Sequence, residues 1–462
     1  MLTWQEVVDA TQGAAVGRIP DLPFSAVRID SRAVQPGDLF LCLRGESFDG
    51  HDFLSQALAA GARGVVVTSP TLVPDGAWGL TVPDTKLALG QLARAWRRKL
   101  SLKVIAVTGS SGKTSTKEML AAYLGAFGAT AKTEGNQNNE IGVPLSLLAL
   151  EADHAFGVIE MGMRGPGEIA YLTDLAEPDI GIVTNIGTAH IGRLGSREAI
   201  ASAKSELWRH LPRGARAIVP YDDAMASAEA ARWGGAMVSW SLEDPAATVW
   251  SHDVQQVKHG QVFTVYWKAG KSFSRGRSEV RLPLWGDHHR ANALAAIATG
   301  WALGLLPGAR LDLKPDTLPG RARQLDLRGI LITDDAYNAN PESVSASIKA
   351  FAQEGSSGRR FVVLGDMAEL GEFAEESHRK VGAVAALLPL NGLLAVGQFA
   401  DAYRQGVGDA FPAHTFDDLE PAARYLADLL APGDRLLVKA SRSARLERLI
   451  ERLIALLGDP AT

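Results

Sequence analysis

The stretch "VIAVTGSSGKTSTKEML", residues 104–120, decides the fold. Val104, Ile105 and Val107 are apolar and β-branched, the composition of a strand buried on both faces. Thr108 to Gly112 is small and flexible. Beyond it Met119, Leu120, Tyr123 and Leu124 recur at helical spacing. Strand, glycine loop and helix form the setting of a phosphate-binding loop, because backbone N–H groups of the loop and helix N-terminus face an anion. The common pattern G-x-x-x-x-G-K-[ST] asks for glycine where this chain has Val107, and its first glycine is Gly109. Either the loop is a shortened variant or the run is a plain strand-to-helix turn. Gly112-Lys113-Thr114 at the junction favours the loop, with Lys113 reaching terminal phosphates and the Thr114 hydroxyl reaching Mg²⁺.

The rest of the chain suits such a site. At 462 residues it predicts about three domains. Apolar content of 46% and charged content of 21% are those of a folded, soluble protein. A net charge of −5 speaks against a general nucleic-acid binder. The single cysteine, Cys42, excludes an internal disulfide framework and a cysteine-based zinc site. In "LFLCL" it reads as a buried small residue rather than a nucleophile. "MLTWQEVVDATQG" is amphipathic with Glu6 and Asp9, unlike a signal peptide. No apolar run reaches the length of about 18 residues needed to span a membrane. The expectation is a cytoplasmic protein.

Elements follow from periodicity. "DLFLCL" and "GVVVT" predict strands around the helix "HDFLSQALAAGA". A helix is expected over "TKLALGQLARAWRRKL", and strands over "AFGVIEMG" and "IGIVTNIG". Residues 248–284 differ, with "QVFTVYW" and "SEVRLPL" reading as antiparallel strands at one edge. "LDLKPDTLPGRARQ" marks a boundary near 312. Past it "GILITDD", "RFVVLGD", "GLLAVG", "AHTF" and "DRLLVKA" alternate with helices, as in a doubly wound Rossmann-like domain. The expected fold class is α/β in three domains: 1–82, a central 83–311 with a P-loop ATPase-like parallel sheet and an antiparallel β subregion, and a Rossmann-like 312–462.

Ligands of open α/β sheets bind beyond the C-terminal ends of strands, so polar residues there are informative. Glu160 ends "VIE", and Asn185 and His190 follow "IVT". Thr114 and Glu160 suit Mg²⁺, which takes oxygen ligands. Glu160 also reads as a helix cap or surface carboxylate, and His190, taken alone, as a satisfied polar histidine. "GNQNNEIGVP" packs Asn136, Asn138, Asn139 and Glu140 into one turn, more amide groups than turn geometry requires and suited to a peptide or sugar. "LITDDAYNANPES" sets Asp334 and Asp335 at a strand end, followed by Tyr337, Asn338 and Asn340. Lys204 in "ASAKSEL" reads by default as a solvated helix lysine.

Taken together these stretches resemble the Mur ligases of peptidoglycan synthesis over nearly the whole chain. "DSRAVQPGDLFLCLRGESFDGHDF", "TGSSGKTSTKEM", "GNQNNEIGVPLSLL", "EMGMRGPGEI", "TNIGTAHIG", "AKSEL", "GDHHRANALAA", "PGRARQ", "DDAYNANPES", "LGDMAELG" and "KASR" fall in the family's order. The short G-x-x-G-K-T loop is the rule in that family. Two positions depart from it. The family usually has His-Asn where this chain has His288-His289, and Lys-Gly-Ser-Arg where it has Lys439-Ala440-Ser441-Arg442. Alanine at 440 restricts the backbone if φ there is positive.

The resemblance implies ATP-driven amide formation, in which the carboxylate of UDP-MurNAc-tripeptide takes the γ-phosphoryl group and the amine of D-alanyl-D-alanine displaces phosphate. It implies ATP contacts at Gly109, Ser110, Ser111, Gly112, Lys113, Thr114 and Ser115, and at Asn292, Arg321 and Asp335. It implies substrate contacts at Ser31, Arg32, Asp49, His51, Asn136, Asn138, Asn139, Glu140, Asn338 and Arg442. Catalytic roles fall to Lys113, Lys204 and His190. Metal roles fall to Thr114, Glu160, His190 and Lys204, the last matching a lysine that can be carbamylated. The expected partners are small molecules, with no nucleic acid and no membrane span, and the chain is expected to be a monomer. Three rivals remain. A sister ligase adding the third peptide residue would carry Asp-Asn-Pro-Arg in its diaminopimelate version, which is absent here. A folylpolyglutamate synthase lacks the "DGHDF" segment. A non-catalytic ATP-binding scaffold has no need of Lys113, Glu160 and Lys204.

Overall fold

The computed structural model describes residues 1–17, 23–45, 47–75, 77–354 and 358–458. The fold is mixed α/β, with three sheets of five, ten and six strands, parallel in the main. By contact density the chain divides into two compact units.

The first unit comprises residues 1–108, 124–181 and 206–216. Its five-stranded sheet runs in the order Ala14–Val16, Gly79–Thr81, Gly64–Val67, Leu39–Leu41, Val27–Arg28. Only the first of these is antiparallel to its neighbour. Phe40, Val65 and Val67 pack with Cys42, Leu54 and Ala57 into one apolar cluster. Burial raises the Cys42 thiol to about 12, so it is an inert core residue. The same unit holds Lys103–Thr108, paired in parallel with Phe156–Glu160, which pairs in turn with Thr130–Lys132. Val104, Ile105, Ala106 and Val107 are fully buried, which explains their unbroken apolar run. The helix Thr85–Lys99 starts as expected, on Asp84 accepting from the N–H groups of Lys86 and Leu87.

The second unit comprises residues 109–123, 182–205 and 217–462. In its middle part Val249–Val257, Gly260–Trp267 and Gly276–Leu282 are antiparallel neighbours, the expected β subregion. The six-stranded sheet has the order Arg323–Leu327, Ile330–Asp335, Arg435–Lys439, Arg360–Gly365, Gly392–Val396, Ala413–Phe416. The last five are parallel and match the five strands expected from sequence. Arg323–Leu327 is an additional antiparallel edge strand. Its sequence, "RQLDL", is mostly exposed and carries charge, so it gives no buried-strand signal.

Alanine at 440 costs nothing. Among the described residues it is not one of the non-glycine positions with positive φ. It is fully buried and packs with Val438, Leu446 and Leu449 in the core of this sheet. Leu436 is fully buried in the same core. Leu436→Ala should lower the stability of this part of the chain by about 2–5 kcal/mol, and Leu436→Met by under about 1.5 kcal/mol. Urea denaturation, with hydrogen exchange read over Arg360–Gly365, checks both.

Candidate functional site

The phosphate loop lies between Thr108 and the helix Lys113–Gly125. Val107 belongs to the strand, so the loop is short. Its shape is fixed from behind. Gly109 has φ +146°, and a Cβ there would overlap Thr184 Oγ1. Gly112 has φ +76°, and a Cβ there would sit 2.8 Å from Asn292 Oδ1. Both conformations belong to glycine. The Ser111 carbonyl accepts from Thr184 Oγ1 at 2.6 Å and from Asn185 Nδ2 at 3.1 Å. Asn185 Oδ1 accepts from the Ser111 N–H at 3.1 Å and from its hydroxyl at 3.2 Å. The Ser110 N–H goes to the Asn185 carbonyl at 3.0 Å, and Ser110 Oγ accepts from Gly187 N–H at 2.9 Å. Lys113 Nζ donates to the Gly109 carbonyl at 2.9 Å, which lays its side chain back across the loop. Thr114 is buried, and Ser115 follows it half-buried.

Asn292 stands against this loop, with Oδ1 accepting from Thr116 Oγ1 at 3.2 Å. Lys204, on the helix Arg197–Arg209, is only 1% exposed, unlike a solvated helix lysine. Burial first, and then the charge of Lys113, push its ammonium well below the ordinary lysine value. That favours the neutral amine. His190 has φ +68°, and its Nδ1 is paired with the Glu369 carboxylate. Arg193 reaches the same carboxylate at 3.6 Å.

In the C-terminal sheet, Asp335 is held by Lys439 Nζ at 2.6 Å and Ser347 Oγ at 2.6 Å. Asp334 accepts backbone N–H groups of Gly320 and Ala336, and burial raises its carboxyl. Arg321 lies 4.3 Å from the centre of the Tyr337 ring, and Arg442 lies 5.7 Å from it. The Asn338 carbonyl accepts from Lys439 Nζ at 3.1 Å. A cavity of about 330 Å³ is lined by His288, His289, Asp335, Ser347, Trp285 and Phe351, among others. His289 is buried, and its ring is held neutral by burial and by His288 beside it. His288 falls to about 4, through burial and then Lys439.

The other expected residues belong to the first unit. Asn138 Nδ2 donates to Glu160 Oε1 at 2.8 Å, and Glu160 is 2% exposed, so it is not a surface carboxylate. Asn139 Oδ1 accepts from the N–H groups of Ile141 and Gly142, a turn role. Asn136 is exposed, and Glu140 lies 3.7 Å from Lys86. Asp49 and His51 lock each other, with Nδ1 to Oδ1 at 2.5 Å. The His51 Nε2 accepts from the Thr68 N–H at 3.2 Å. The His51 N–H and ring hold Asp49 well below the usual carboxylate range. Ser31 is buried on Gln56, whereas Arg32 is exposed and tethered by Asp30 at 2.7 Å.

Among the described residues no group of three or more His, Cys, Asp or Glu side chains is arranged to hold a metal. Three residues that hold the loop and its neighbouring strand ends were not proposed as site residues from sequence: Thr184, Lys439 and Glu342. Each sits within a few residues of a strand's C-terminal end or a helix start, which is the one signal that could have marked them.

Three family models match in succession: "Mur ligase family, catalytic domain" over 23–97, "Mur ligase middle domain" over 107–300, and "Mur ligase, glutamate ligase domain" over 320–442. The UDP-N-acetylmuramoyl-tripeptide–D-alanyl-D-alanine ligase of Synechocystis sp. is 41% identical over 94% of this chain and 93% of its own. Its Escherichia coli counterpart is 36% identical over 98% of both. A crystal structure of MurF from Acinetobacter baumannii superposes with TM-score 0.88 at 35% identity, covering 98% of both chains. MurF ligase of Thermotoga maritima, in complex with ADP, gives 0.81 at 31% identity over 95% of this chain and 99% of that one.

Gly109→Ala should abolish nucleotide binding while the protein stays folded, because the methyl group cannot share space with Thr184. Calorimetry with ADP checks this, and unchanged affinity would contradict the loop geometry.

Proposed function

Because the chain belongs to the Mur ligase family, we propose that it joins D-alanyl-D-alanine to UDP-MurNAc-tripeptide at the expense of ATP, in the synthesis of peptidoglycan precursors. The observation that carries this reading is the short phosphate loop, set in a chain that matches ligases of this one specificity over nearly its whole length. A carboxylate oxygen of the tripeptide attacks the γ-phosphorus, ADP leaves, and an acyl phosphate results. The dipeptide amine then attacks the acyl carbon. Phosphate departs, and the nitrogen gives up a proton as the amide forms.

A carboxylate approaching a polyphosphate meets like charge, so fixed cations and N–H groups must dominate the site. The loop from Gly109 to Ser115 supplies N–H groups, and Lys113 supplies a cation for the transferring phosphoryl group. Asn292, Arg321 and Asp335 are assigned to the rest of the nucleotide. Magnesium is assigned to Thr114 and Glu160, and to His190 with Lys204. When bound, it neutralises charge on phosphate oxygens. Lys204 fits a carbamate, which forms only on a neutral amine and turns the side chain into an oxygen donor. Its burial and lowered pKa support that fit. The segment 1–82 is assigned to the UDP substrate through Ser31 and Arg32. Asp49 and His51 shape that segment, with Asn136, Asn138, Asn139, Glu140, Asn338 and Arg442 completing the substrate contacts. The segment 83–311 is assigned to ATP, and 312–462 completes the ligase. The reading places the reaction in the cytoplasm and takes the protein as a monomer.

The deciding experiment is phosphate release. It should require ATP, UDP-MurNAc-tripeptide and D-alanyl-D-alanine together, and Lys113→Ala should lower it by at least about a hundredfold without unfolding the protein. Release independent of the dipeptide, or near-normal turnover in the variant, would contradict the reading. Lys204→Ala should lose most activity and regain part of it with added short carboxylic acids, which supply the missing oxygens. Full activity without additive would show Lys204 to be a structural lysine.

A further inference from the structure

The helix Pro341–Gln353 begins against the phosphate loop. Asn340 caps it, accepting the Ser343 N–H at 2.8 Å. Its remaining donor, Nδ2, goes to the Ser110 carbonyl at 3.2 Å, a buried bond. Two residues on, Glu342 takes both donors of Thr188, its N–H at 2.8 Å and its hydroxyl at 3.1 Å. The carboxylate comes so close that a Cβ on Gly187 would lie 2.8 Å from it. Gly187 itself donates to Ser110 Oγ at 2.9 Å. Ser110, Gly187, Thr188, Asn340 and Glu342 therefore form one connected network. The turn just beyond is held again, with Gly192 N–H donating to the Glu369 carbonyl at 3.0 Å.

We infer that Asn340 and Glu342 are positioning residues for phosphoryl transfer: they latch the start of this helix to the back of the phosphate loop and to the Thr188 turn. A helix cap needs only the Asn340 oxygen, and a first-turn carboxylate is already favourable at a helix N-terminus. Neither requirement explains an amide nitrogen spent on a phosphate-loop carbonyl, or a carboxylate spent on Thr188. Both are explained if the loop must keep one shape while charge moves across the phosphate. A displacement of about 1 Å at such a site can cost on the order of a hundredfold in rate.

This inference rests on the ligase reading for its kinetic arm alone, so two measurements are made. Asn340→Ser keeps a helix cap and removes the amide Nδ2 donor that reaches Ser110. Glu342→Ala removes the acceptor. In both, kcat for dipeptide-dependent phosphate release should fall at least about tenfold with KM for ATP within about threefold, the pattern of an interaction needed in the transition state. The thermal midpoint should stay at the wild-type value. Independently of any activity, hydrogen exchange in the full-length protein should speed up over residues 185–192 in Glu342→Ala and over 109–112 in Asn340→Ser. Wild-type exchange at those segments overturns the latch. So does wild-type kcat, or a loss of kcat that merely follows loss of folded protein. If the wild type releases no phosphate with the three substrates, the ligase reading fails, and the exchange data alone decide the latch.

Discussion

The steric fit of Gly109 against Thr184 is the constraint on which the rest depends. A phosphate loop can aim its N–H groups at an anion only if its carbonyls and its curvature are held from the other side. Here Thr184 and Asn185 take up the Ser111 carbonyl, and Gly109 leaves no room for a side chain between them. The strand Ile180–Val183 has to end where it does, with polar residues next, because those residues form the rear wall of the loop. The same need draws Asn292 from a helix far along the chain to Gly112 and Thr116.

Charge is arranged around that wall. Lys113 lies across the loop, and Lys204 is buried close enough to feel it. Two ammonium groups in one desolvated region are unfavourable unless something anionic joins them or one gives up its proton. The lowered basicity of Lys204 corresponds to the second remedy. The C-terminal sheet repeats the logic with opposite sign. Its strand-end carboxylate Asp335 is compensated by Lys439 and Ser347.

Several polar residues read from the sequence as ligand contacts also shape the backbone. Asp49 and His51 satisfy one another and Thr68. Asn139 caps a turn. Asn338 and Asp334 spend atoms on neighbouring backbone groups. Such residues fix where a contact surface lies even when they do not themselves face it.

The sequence by itself determined the local elements and the chemistry at their ends. Unbroken β-branched runs marked the buried parallel strands, and the Gly-Ser-Ser-Gly-Lys-Thr junction marked the loop, because these signals live in consecutive residues. The tertiary structure decided the rest. The edge strand Arg323–Leu327 is defined by its partner, not by apolar periodicity. The burial of Lys204, and with it the basicity of that amine, comes from what packs over the helix. Ala440 is harmless because its φ is ordinary there, which residue identity does not reveal. The bond from Asn340 to Ser110 joins residues 230 positions apart, and no window of sequence contains both. Backbone preference and periodicity are local properties, whereas desolvation, pairing and close approach are set by residues that only folding brings together.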